Sequence, residues 1–162
     1  MLLPDAASYS SGDELTGQQL CAECDPRPPP RYGAMSATIV ETQPEGDDHH
    51  LFFVYGGSAS STYVWDDVWM IRLLPNGTVV TPWRQLCTHI ECRNSAPRAR
   101  FGGALVPSGR NSRKLWLFGG ERIEPSLSLS DVHEFHVDLG EDGLWREVCA
   151  TGTQKRWRKH GV

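Results

Sequence analysis

Phe53-Val54-Tyr55-Gly56-Gly57 and Trp116-Leu117-Phe118-Gly119-Gly120 are one phrase written twice. Each is a short apolar run that stops at two glycines, and such a run reads as a β-strand. The apolar residues are consecutive instead of alternating, the pattern of a strand covered on both faces. Outward from each copy, the same neighbours recur in the same order. Upstream stand Pro30-Arg31-Tyr32-Gly33-Ala34 and Ala99-Arg100-Phe101-Gly102-Gly103. Downstream stand Asp67-Val68-Trp69 and Asp131-Val132-His133. Trp83 and Trp145 close the units, followed by Gln85-Leu86-Cys87 and Glu147-Val148-Cys149. Gln19-Leu20-Cys21 is a third copy of that ending, and the three cysteines fall 66 and then 62 residues apart. One order kept at a near-constant period marks an internal repeat.

Each unit predicts four strands. The first lies near Ala34–Val40 and Gly103–Pro107, the second at Leu51–Tyr55 and Lys114–Phe118. The third lies at Asp67–Leu73 and Asp131–Val137, the fourth at Val80–Leu86 and Leu144–Cys149. Turn residues such as Pro75-Asn76-Gly77 and Pro107-Ser108-Gly109 separate them. The extra length of each unit falls in Thr42–His50, in Thr88–Ala96 and after the paired glycines, all expected to be loop. Leu2-Leu3-Pro4-Asp5 matches Leu73-Leu74-Pro75-Asn76, the exit from a third strand, and Arg158 falls where Arg31 and Arg100 open their units. The expected organisation is therefore the end of a preceding unit with a Pro-rich link over 1–29, full units over 30–96 and 97–152, and the start of another unit or a tail over 153–162.

Five elements in one order, twice over, resemble the kelch repeat: an Arg before the first strand, paired glycines after the second, Asp-Val-aromatic in the third and a Trp in the fourth. The residues that carry the resemblance are Arg31, Gly56, Gly57, Asp67 and Trp83, then Arg100, Gly119, Gly120, Asp131 and Trp145. The resemblance implies an all-β fold, part of a kelch-type β-propeller with four-stranded antiparallel blades. Physical chemistry gives the same residues structural work. A glycine pair permits positive φ and close backbone approach. Tyr55, Phe118, Trp83 and Trp145 supply area for packing one sheet on the next. Arg31 and Arg100 have donors for buried carbonyls or carboxylates, and Asp67 and Asp131 are placed to cap or pair at a strand entry. Two full blades do not close a ring of 4–8. The chain is thus expected either to belong to a longer propeller or to complete itself by association.

Composition narrows the functional classes. Lys plus Arg is 16 against 20 for Asp plus Glu, a net charge of −4, which disfavours a nucleic-acid binder. The basic stretch Lys155-Arg156-Trp157-Arg158-Lys159-His160 is read as the opening of a further unit. No apolar run approaches the ~20 residues of a membrane span. Leu2 and Leu3 do not extend into a secretory leader, so the five cysteines are expected to be reduced thiols in a cytoplasmic or nuclear protein.

Chemistry-bearing clusters are few. Cys21-Ala22-Glu23-Cys24 has zinc-ligand spacing, and Cys87 with Cys92 offers a second pair. However, Cys21, Cys87 and Cys149 follow the repeat period, which separates them laterally. Asp47-Asp48-His49-His50 is the densest ligand cluster and reads as a polar hairpin tip. His133 and His136 fall on opposite faces of a strand. The reading assigns no catalytic residue, metal or cofactor. It expects a non-catalytic protein–protein interaction module, scaffold- or adaptor-like, binding protein partners through inter-strand loops, with Tyr63, Arg122 and Glu124 as contact residues. The alternative is a piece of a kelch-type propeller enzyme whose site residues lie on other blades.

Overall fold

The structure is a computed structural model that describes residues 26–123, 125–137 and 143–149. Glu124, the Cys21/Cys24 pair and the 155–160 basic stretch lie outside the described residues.

Alternation in the first strand sets the geometry of everything after it. In β1 (Met35–Glu41), Met35, Ala37, Ile39 and Glu41 are buried while Ser36 and Thr38 face solvent. β2 (His49–Tyr55), β3 (Val68–Leu73) and β4 (Val79–Leu86) follow, each antiparallel to the one before, giving a four-stranded sheet in sequence order. Met35, Tyr55, Val68 and Leu86 lie in one cross-strand row, and Ala37, Phe53 and Met70 in the next. β4 is an edge strand, and its ladder slips between Met70 and Arg72. Pro82, which has no N–H to donate, sits in that slip, where a proline is tolerated.

The second sheet repeats the first: β5 (Ala104–Pro107), β6 (Lys114–Arg122), β7 (Leu127–Val137) and β8 (Gly143–Cys149), again antiparallel and in sequence order. The fold is all-β, built of two four-stranded antiparallel sheets. Among the described residues, no helix is long and apolar enough to cross a membrane.

The core is the seam between the sheets. Leu51, Phe53, Tyr55, Met70 and Leu86 from the first meet Leu105, Leu115, Leu117, Phe135, Val137 and Trp145 from the second. Full burial of each such side chain is worth about 1.5–3 kcal/mol. Each sheet offers the opposite phase of its alternation to this seam. Tyr55, directly before a glycine pair, points inward, whereas the equivalent Phe118 points out and is 43% exposed. Trp145 lies inside, 5.1 Å from the Tyr55 ring, while Trp83 packs against Phe52 on the outer face of the first sheet. The expectation that both apolar strands are covered on both faces therefore needs correction. One neighbouring sheet covers one face, and Phe52 and Val54 on the other are half-buried.

Two further corrections concern the connections. Thr88–Ala96 is not all loop: it holds a short helix, α1 (Ile90–Ser95), whose Cys92 is joined by a disulfide to Cys87, just past the end of β4. The Cα atoms of that pair are 5.2 Å apart, so Cys87 and Cys92 are not the reduced thiols expected. The segment after Gly119-Gly120 is also not an open loop. β6 and β7 run on past the glycines, pairing Gly120 with Leu129 and Arg122 with Leu127.

Candidate functional site

The glycine pairs and the segments entering β1 and β5 lie at one end of the sheets. Arg31 donates to Asp67 Oδ2 at 3.0 Å, to the Gly56 carbonyl at 2.9 Å and to the Pro29 carbonyl at 3.1 Å. Arg100 does the same one unit later, reaching Asp131 Oδ2 at 2.8 Å, the Gly119 carbonyl at 2.9 Å and the Arg98 carbonyl at 3.0 Å. Each guanidinium ties the entering segment to the glycine turn and to the third strand; Asp67 stands at the entry of β3 as expected, whereas Asp131 lies inside β7, because that strand runs back to Leu127. A fork of fixed donors suits this bidentate work.

A third member completes each cluster. Trp69 Nε1 donates to Asp67 Oδ2 at 2.6 Å, and His133 Nε2 lies 3.0 Å from Asp131 Oδ2. Burial raises the Asp131 carboxyl, but hydrogen bonds from Arg100 and His133 outweigh it and hold its pKa at about 2. The His133–Asp131 pair has the form of an acid–base dyad. Yet an indole, which has no acid–base chemistry near neutral pH, does the same job at position 69. His133 also packs edge-on against Trp145, and its Nδ1 is buried. This arrangement braces a strand.

The glycines let the two sheets approach. Gly56 has φ +63°, and a Cβ there would stand 2.4 Å from the Arg100 carbonyl oxygen. The Gly57 amide donates to that same oxygen at 2.9 Å, and the Gly102 amide donates to the Gly33 carbonyl at 2.8 Å. These backbone bonds join the sheets at this end. Deeper in the seam, the Tyr55 hydroxyl donates to the Pro97 carbonyl at 3.1 Å, and burial pushes its pKa well above the usual tyrosine value.

On top of this frame lies a rim of aromatic rings. Tyr63 is 52% exposed and stands edge-on to Trp65 at 4.7 Å. The Arg31 guanidinium lies over the other ring of that pair, 5.0 Å from the Trp65 centroid. Ser58 Oγ donates to the Tyr63 carbonyl at 2.8 Å, which fixes the loop carrying the ring. Tyr32 is 54% exposed, bridges to Ser58 through the backbone, and meets Phe101 edge-on at 6.4 Å. Phe101 in turn bridges to Glu121, the neighbour of Arg122. Tyr63 and Arg122, from different units, thus lie toward the two ends of one continuous rim that crosses the sheet junction.

No family model matches the chain, and no curated protein matches it.

Sequence reasoning did not single out Tyr32, Trp65 and Phe101 as rim residues. A signal for two of them was present, since Tyr32 and Phe101 occupy equivalent positions directly after the opening arginines. The other candidate clusters separate. His49 and His50 begin β2, and among the described residues no group of three or more His, Cys, Asp or Glu is placed to hold a metal ion. Cys87 and Cys92, being bonded to each other, present no thiolates as zinc ligands. His133 is buried in the seam, while His136 is half-buried and pairs with Glu134.

Proposed function

We propose that this chain is a non-catalytic protein-interaction module made of kelch-type propeller blades, and that it binds a protein partner through the Tyr63–Trp65–Tyr32–Phe101 rim with Arg122 at its end. The observation that carries the reading is the pair of half-exposed tyrosines, each set edge-on against a second ring. Tyrosine offers large contact area at small entropic cost when its position is already fixed. Here backbone bridges and the Arg31 cluster do the fixing. Such pre-organised aromatic and arginine anchors dominate the energetics of interfaces.

The test is affinity capture from source-cell extract with the full chain as bait, beside Tyr63→Ala/Arg122→Ala and Tyr32→Ala variants of equal thermal stability. Loss of a wild-type partner from both variants supports the rim. Retention of every partner by both variants overturns it.

A second contact surface belongs to the same reading. The outer face of the second sheet exposes Val106, Phe118 and Leu144, an apolar patch of the kind that marks an interface. A further blade, of another copy or of another chain, is its proposed partner. Light scattering after size exclusion tests self-association: a defined oligomer supports another copy as the occupant, and a monomer refutes it. The enzyme alternative places site residues on other blades and has no residue of its own among those described.

A further inference from the structure

A disulfide at the end of β4 and a tripeptide in the β3–β4 turn share one cellular chemistry. Cys87 and Cys92 are bonded to each other, and protein disulfides persist in oxidising compartments, such as the secretory lumen and the cell exterior. Asn76-Gly77-Thr78 is an N-x-[ST] triplet, the acceptor signal for N-linked glycans in that compartment. The chain has three asparagines, and Asn76 alone has a Ser or Thr two positions on; Asn94 is followed there by Ala96 and Asn111 by Arg113.

The fold presents the triplet as an acceptor would need. Residues 75–78 form the turn between β3 and β4, and all four are exposed. The Gly77 amide donates to the Leu74 carbonyl at 2.9 Å, and the Leu74 amide to the Thr78 carbonyl at 2.8 Å, so the turn is closed by its own backbone. Asn76 Oδ1 accepts from the Thr78 amide at 3.0 Å, which holds the carboxamide beside the threonine that completes the signal. Gly77 has φ +87° and no neighbour within 4 Å of where a Cβ would stand. Nothing in the folded sheet crowds the middle of the triplet. The turn also lies at the end of β3 opposite to Asp67 and the rim. A glycan there leaves the aromatic rim open.

We propose that Asn76 is an N-glycan acceptor and that the chain matures in an oxidising secretory lumen, where the Cys87–Cys92 bond forms. In the transfer, a bond forms between Asn76 Nδ2 and C1 of an oligosaccharide. The C1–oxygen bond to its polyprenyl diphosphate carrier breaks, the Nδ2 proton goes to a base on the transferase, and polyprenyl diphosphate leaves. Formation of the disulfide passes two electrons and two protons from the thiols to a dithiol–disulfide oxidant of the same compartment. This setting departs from the cytoplasmic one expected from the sequence, and it does not depend on the rim.

Two measurements test it. The full chain, directed into the lumen of cultured cells by an added leader, is compared with Asn76→Gln, Thr78→Ala and Thr78→Ser on gels before and after peptide N-glycosidase. Wild type and Thr78→Ser are expected to run as a slower band that collapses on digestion, and Asn76→Gln and Thr78→Ala as the fast band throughout. A fast band for wild type overturns the acceptor assignment. Protein from its source cells is then alkylated before reduction and digested. An aspartate at position 76 after glycosidase treatment, with Cys87 and Cys92 protected from alkylation, is the expected result. Unmodified Asn76 or freely alkylated Cys87 and Cys92 overturns the proposal.

Discussion

Arg100→Met is the substitution that most directly tests how an opening arginine ties the entering segment to the glycine turn and third strand of its own sheet. The Arg100 side chain is fully buried, its partner Asp131 nearly so, and both guanidinium nitrogens of the fork reach the carboxylate. Methionine fills much of the volume but removes the charge and every donor. Stranding one member of a buried pair costs about 3–5 kcal/mol. Asp131 keeps its bond to His133, which places the expected loss near the low end, about 3 kcal/mol. That is a large share of a domain's typical ~5–15 kcal/mol. The Gly119 carbonyl loses its partner as well, so the loss is not expected to fall further. Urea denaturation at pH 7, followed by tryptophan fluorescence, measures it, since Trp145 sits in the seam.

The pH dependence supplies a second, independent readout. The Asp131 pKa is about 2 in the folded chain against an ordinary 3.8. A depressed carboxyl stabilises the fold fully above the unfolded value, and that contribution disappears as pH falls through the folded one. The wild type therefore loses stability between about pH 4 and pH 2, and Arg100→Met shows a smaller loss over that window. A destabilisation under ~1 kcal/mol, together with an unchanged acid limb, would refute the assignment of Arg100 as the tie.

Other expectations follow from the same geometry. Gly56→Ala is expected to lower Tm much more than Gly46→Ala. Both have positive φ, but a Cβ at Gly46 meets nothing within 4 Å, while at Gly56 it meets the Arg100 carbonyl at 2.4 Å; equal shifts in calorimetry would rule out the steric account. Tyr55→Phe removes the hydroxyl bonded to Pro97 without opening a cavity, and chemical denaturation should show a loss of about 1 kcal/mol. Cys87→Ser/Cys92→Ser opens the short covalent loop that joins the end of β4 to α1, and the chain-entropy account gives a cost of about 2 kcal/mol. Reduction of the wild type should cost the same, and a dithiothreitol-insensitive midpoint would count against the bond.

The strands were legible because their signals are local. Apolar runs that stop at Gly56-Gly57 and Gly119-Gly120, with turn residues between them, place all eight strands within a few residues of where they lie. The repeat made the opening arginines and the strand-entry aspartates visible as a set, though not as partners across 36 and 31 residues. What was illegible depends on what stands beside each element. The residue before a glycine pair has the same apolar character in both units. Only the position of the neighbouring sheet decides that Tyr55 faces in and Phe118 faces out. Cys87 and Cys92 were legible as a pair, but only as zinc ligands, because the lack of a leader-like run made reduced thiols the expectation for all five cysteines. Of the rim, Tyr63 was visible as an exposed loop residue and Arg122 was expected as one, though it ends β6 and is half-buried, whereas Tyr32, Trp65 and Phe101 acquire their place from contacts between distant segments.

The inverted phase of the two sheets has a consequence for growth. Register places Phe118, Trp116 and Val132 on the outward side of the second sheet, where Tyr55, Phe53 and Val68 stand on the inward side of the first. The match is broken at two positions. Lys114 stands where Leu51 would be, and Glu134 where Met70 would be. Lys114 Nζ lies 3.6 Å from Glu134, and His136 pairs with the same carboxylate. Burial raises the Glu134 pKa, but these two partners outweigh it and lower it. A third layer laid down by simple copying would have to strip water from that cluster without offering it a counterpart, at a cost that apolar contact does not repay. A sheet that packs on this face is therefore expected to differ from a plain copy of the first. Whatever settles on that side has to bring hydrogen-bonding groups to the level of Glu134 while meeting Phe118 with an apolar surface.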